Sequence, residues 1–139
     1  MINAAIDRFC SEYNFEIKTF IEHALGEAEA IKQRLTKYPD AEIRYAGVDL
    51  EAPPIGVAKE DIAKGILPQS LILEYGVDIG KPEILTAILE KNQISSNSDG
   101  LVMVVGNGFH EVRNQSPDKM LEVFKKYHNF GILIVFTEE

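Results

Sequence analysis

Residues 101–105 read LVMVV, an unbroken apolar run with no polar alternation. A strand with one wet face alternates polar and apolar residues, so an unbroken run marks a strand covered on both faces. Such strands belong to largely parallel sheets with helices packed above and below. Residues 132–137, ILIVFT, read as a second central strand of the same kind. From residue 39 onward, strand and helix patterns alternate, which implies an α/β sandwich with a small, mostly parallel sheet, one hairpin and flanking helices.

Residues 41–49 read as the first strand of that series, with Ile43, Tyr45 and Val48 as its bulky members. A turn at Ala52, Pro53 and Pro54 leads to a short helix over 57–64, which Gly65 ends. Residues 70–77 form the next strand. Pro82 opens a helix over 82–93, in the first turn where its missing N–H costs nothing, and Ile84, Leu85, Ile88 and Leu89 make its apolar face. The segment SSNSDG over 95–100 is a loop. Gly106, Asn107 and Gly108 supply the positive-φ residues of a tight hairpin that returns through 109–113. Ser116 as cap, Pro117 and Asp118 start a last helix that runs to about His128, before Gly131 ends it.

Ahead of this series, residues 2–37 hold no proline and one glycine, Gly26. Apolar residues at Ile2, Ile6, Phe9, Tyr13, Ile17, Phe20, Ala24, Ala28, Ile31 and Leu35 step by threes and fours, the spacing of a helical stripe. The spacing predicts one long amphipathic helix that Pro39 stops. Half of the stripe packs on the sheet, and a helix of this length favours self-association. The expected organisation is an N-terminal helix over 1–38, usable as an oligomerisation arm, and a single α/β domain over 39–139.

Composition narrows the function. The 139 residues carry 14 Lys and Arg against 22 Asp and Glu, a formal charge of −8 that repels phosphate backbones and argues against nucleic-acid binding. One cysteine, Cys10, permits no internal disulfide and no multi-cysteine zinc site, and it fits a reducing compartment. No apolar run approaches the about 20 residues of a membrane helix. The N-terminus lacks the basic-then-apolar pattern of a signal peptide. A cytoplasmic location with no membrane contact is expected.

The chemistry on offer is sparse. Tyr45, Gly47, Val48 and Asp49 are echoed by Tyr75, Gly76, Val77 and Asp78, and both copies lie where a strand gives way to a helix. In open α/β sheets that edge is where ligands bind. Asp49 and Asp78, with Glu51 nearby, suit a hard cation such as magnesium. The plainer reading has glycine bend the chain while aspartate accepts turn hydrogen bonds. His110 beside Glu111 can act as a general base if either aspartate is within reach. Gly106 and Gly108 lack the third glycine and the following helix of a dinucleotide fingerprint. His128 suits a helix C-terminus, and His23, placed in the long helix, carries no motif.

Three functional readings emerge. The leading one is a non-catalytic regulatory or adaptor module that self-associates and binds a protein partner or small ligand. The second is a small metal-assisted hydrolase using Asp49, Asp78 and His110, and magnesium enters as a cofactor only under this reading. The third is a small-molecule sensor whose pocket lies between subunits, lined by Tyr45, Tyr75, Phe109 and Arg113.

Overall fold

A computed structural model describes residues 2–96, 98–106 and 116–136. The chain runs α1 (Ile2–Tyr13), β1 (Thr19–His23), α2 (Glu29–Lys37), β2 (Arg44–Asp49), α3 (Ala52–Ala63), β3 (Ile72–Tyr75), α4 (Pro82–Lys91), β4 (Leu101–Val105), α5 (Pro117–Phe130) and β5 (Ile132–Phe136). The strands form one sheet in the order β3-β2-β1-β4-β5, and every pair is parallel. The fold is α/β, as the unbroken runs imply. The hairpin expected at Gly106, Asn107 and Gly108 extends into residues outside those described.

Residues 2–37 are not one helix. Asn14 takes a left-handed conformation (φ 52°) that ends α1, and the Phe15 N–H closes the turn on the Cys10 carbonyl at 2.9 Å. The chain then enters β1, which pairs with both β2 and β4 at the centre of the sheet. All five β1 residues are buried, including Thr19, Glu22 and His23. Helical spacing of the apolar residues around them concealed a strand whose polar members have distant partners. The continuous seam behind the oligomerisation arm is therefore absent, and residues 2–37 share the sheet and core of the chain beyond Pro39.

Gly100 clamps the entry to β1. Its carbonyl accepts from the Lys18 and Thr19 N–H groups at 2.9 and 3.1 Å. It stands at φ +73°, and an added Cβ would lie 2.3 Å from the Glu16 carbonyl oxygen, so only glycine fits.

Two apolar layers sandwich the sheet. Ile21, Ala46, Val48, Met103 and Val105 meet Leu85 and Leu89 of α4 and Val123 and Tyr127 of α5. On the other face Phe20, Tyr45, Val102 and Val104 meet Ile6 of α1, Ile31 of α2 and Ile55 of α3. Among the described residues, no helix is long and apolar enough to cross a membrane.

Candidate functional site

From β1 the chain steps outward to β2 and β3, then crosses back over β1 to β4 and β5. The strand order reverses between β1 and β4. In open α/β sheets the crevice beyond the carboxyl ends at such a reversal is the ligand site. The exits of the two strands meet there, with the Gly106 N–H donating to the His23 carbonyl at 3.2 Å.

The loop from β1 to α2 is unusual. Ala24, Gly26 and Ala28 all lie in the left-handed region, at φ 58°, 54° and 59°. Glycine enters that region freely, but a Cβ there costs about 1–2 kcal/mol per residue. The surroundings hold the loop in this shape. The buried Leu25 side chain sits against Gly47 of β2, where an added Cβ would lie 2.9 Å from Leu25 Cδ1. Ala28 caps α2 without a side-chain hydrogen bond. Glu22 does that work from the strand, its Oε1 accepting from the Ile31 N–H at 3.0 Å. Burial pushes the Glu22 carboxyl up to about 7, against the pull of the Ile31 and Ala30 N–H groups.

Successive strand residues face opposite sides, so His23 points away from Glu22. Its ring is 1% exposed, the Val77 backbone is the polar group nearest to it, and among the described residues neither nitrogen reaches full hydrogen-bond geometry. Burial holds it below the usual histidine value, opposed by the charges of Asp49 and Asp78.

Asp49 is the last residue of β2 and is 9% exposed. Its Oδ1 accepts from the Glu51 N–H at 2.9 Å, and Asp78 Oδ1 accepts from the Gly80 N–H at 2.8 Å. The Val77 N–H bonds the Asp49 carbonyl at 3.1 Å, so the two strand exits are tied together. Both aspartates thus stand at the carboxyl edge, each engaged in turn bonding. The tyrosines of the echo part company. Tyr75 ends β3 and is 60% exposed, whereas Tyr45 is the second residue of β2, opposite Phe20, its ring buried 5.9 Å from that of Phe20. They line no common wall. Phe109, His110 and Arg113 lie outside the described residues. Among the described residues, no three His, Cys, Asp or Glu side chains gather into a set that could hold a metal ion. A shallow cavity of about 430 Å³ lined by Phe124, His128, Ile132, Ile134 and Phe136 runs along β5, apart from the crevice.

Sequence reasoning missed Glu22, His23, Ala24 and Ala28. Small residues at 24, 26 and 28, around the one glycine of the segment, were the available signal.

Neither a family model nor a curated protein matches the chain. Solved structures do. The CMeT domain of the citrinin polyketide synthase is 15% identical over 89% of this chain and 30% of its own, with a TM-score of 0.58. A SAM-dependent methyltransferase from Aquifex aeolicus is 16% identical over 86% of this chain and 56% of its own, at 0.52. The CurJ carbon methyltransferase is 16% identical over 80% and 26%, at 0.51. The shared feature is the fold. The chain spans from about a quarter to just over half the length of these proteins. The expected non-catalytic regulatory or adaptor module is overturned by these likenesses, because the proteins that share its sheet are catalysts of methyl transfer. The metal-assisted hydrolase and the subunit-interface sensor fall with it.

Proposed function

We propose that this chain is the cofactor-binding core of a methyltransferase and takes S-adenosylmethionine into the crevice between the β1 and β4 exits. The carrying observation is the pairing of the left-handed Ala24–Gly26–Ala28 loop with Asp49 at the β2 exit. An acidic residue about 20 residues beyond such a loop is placed to accept hydrogen bonds from ribose hydroxyls.

Two features favour an adenosyl sulfonium over a diphosphate dinucleotide. Glycines in the dinucleotide loop let the backbone approach the pyrophosphate, and the methyl group of the partly exposed Ala24 hinders that approach. The formal charge of −8, with Asp49 and Asp78 at the edge, favours a cationic ligand and disfavours phosphate. The residues therefore fit the group. When bound, the sulfonium supplies an electrophilic methyl group. Asp49 orients the ribose, Glu22 fixes the start of α2, and Leu25 seated on Gly47 holds the loop against β2.

Calorimetric titration with S-adenosylhomocysteine at pH 8 tests the reading. The protein should bind it and ignore NAD, and Asp49→Ala should weaken binding by about tenfold or more, the worth of one or two hydrogen bonds to a charged group. Absence of heat and of any rise in melting temperature with the intact protein would refute it.

A further inference from the structure

Buried polar groups are nearly always hydrogen-bonded, so a buried imidazole whose only polar neighbour among the described residues, besides two carboxylates, is the Val77 backbone, out of full hydrogen-bond geometry, calls for an explanation. His23 is the last residue of the central strand and adjoins the crevice. Its register partner on β2 is Val48, which places Asp49 one residue further along the edge. Asp78 follows on the exit of β3, held by the bond between Val77 and Asp49. Each aspartate commits one oxygen to the N–H two residues on, which leaves its other oxygen for a further partner.

We propose that His23 is a positioning residue for the site: as neutral imidazole it leaves the Asp49 and Asp78 carboxylates to the ligand, and as imidazolium it draws them onto itself. The proposal rests on the adenosyl reading for the identity of that ligand.

The charged groups that act on His23 are Asp49 from β2 and Asp78 from the β3 exit. On the α5 side the Tyr127 hydroxyl donates to the Ile79 carbonyl at 2.7 Å, with Asp78 and Glu83 close enough to act on it. Val105 of β4 brings no charge. Burial favours the neutral ring at neutral pH, and acid reverses the balance. An imidazolium between two carboxylates then competes with the ribose hydroxyls for the same oxygens.

The test follows S-adenosylhomocysteine affinity between about pH 8 and about pH 5 in the intact protein and in His23→Gln, which keeps a hydrogen-bonding tip but does not titrate. The expected result is a fall of about tenfold or more for the intact protein and a change under about twofold for the variant. Glu22 titrates in both proteins, so the difference isolates His23. Identical profiles would overturn the proposal. If the intact protein binds no ligand at any pH, the adenosyl reading fails, and the imidazole titration followed by NMR decides on His23 alone. A His23 value that falls in Asp49→Asn supports the coupling, and an unchanged value overturns it. The NMR arm requires no His23 substitution, so it stands if His23→Gln fails to fold.

Discussion

The two helical layers hold the same sheet by different means. Under α4 and α5 the contacts are apolar, with Ile21, Val48, Met103, Leu85, Leu89 and Val123 packed together, and one hydrogen bond from Tyr127 to Ile79 adds direction. Under α1, α2 and α3 a polar network runs through the packing. Arg34 Nη1 reaches Asn3 Oδ1 and Asp7 Oδ1, both at 3.2 Å, and its guanidinium lies over Phe20 and Tyr38. Asn3 in turn donates to the Ala30 carbonyl at 3.1 Å, while Lys32 pairs with Asp61 at 2.8 Å. Apolar packing is strong but has no direction. The polar bonds fix α2 against α1 and α3, and α2 carries the strained loop at its start. The face nearest the loop is the one with directional bonds.

Substitutions on each face should separate the two modes. Leu85→Ala should cost about 4 kcal/mol by opening a cavity, with no dependence on salt or pH, read from chemical unfolding. Glu22→Gln should stabilise the protein at pH 8 by up to about 3 kcal/mol and leave it nearly unchanged below about pH 4. The sign follows from the raised value in the folded state: the carboxyl favours folding only while protonated, and stability falls as pH climbs from 4.5 to about 7. His23 works the other way. Its depressed value makes stability rise as pH climbs towards 6.5, so unfolding curves for Glu22→Gln should show the histidine slope alone.

Arg34→Ala should cost about 2 kcal/mol, below a fully buried pair because Asp7 keeps Lys37, and the loss should shrink in 1 M salt, unlike that of Leu85→Ala. The smallest effect is a gain. Ala28→Gly should add about 0.5–1 kcal/mol by relieving the left-handed alanine, seen as a higher urea midpoint. A loss there would mean that the alanine methyl makes a contact worth more than the strain.

How far the sequence reached depended on where each residue's partners lie. Leu101–Val105 was legible to the residue because its neighbours on both faces are apolar, as the run implies. The start of α5 was legible because its cap is local, with Ser116 Oγ accepting from the Lys119 N–H at 3.2 Å. The turn assigned at Pro53 and Pro54 is instead the first turn of α3. β1 was hidden because Glu22 finds its partner on α2 and His23 faces charges from the end of β2 and from beyond β3. The edge placement of Asp49 and Asp78 was readable from glycine and aspartate after a strand. The echo misled at the tyrosines because Asp49 lies within β2 whereas Asp78 lies beyond β3, so the same letters fall at different heights.

The central position of β1 also orders events in time. Thr19 pairs with Arg44 on one side and with Leu101 on the other. Synthesis at about 10 residues per second puts several seconds between the emergence of Asp49 and that of Leu101. During that interval any β1–β2 pair has one edge of β1 bare, and the crevice has a single wall. Folding of this chain therefore waits on its most distant parallel pairing, and a nascent chain halted before β4 presents an apolar strand edge to whatever binds such edges.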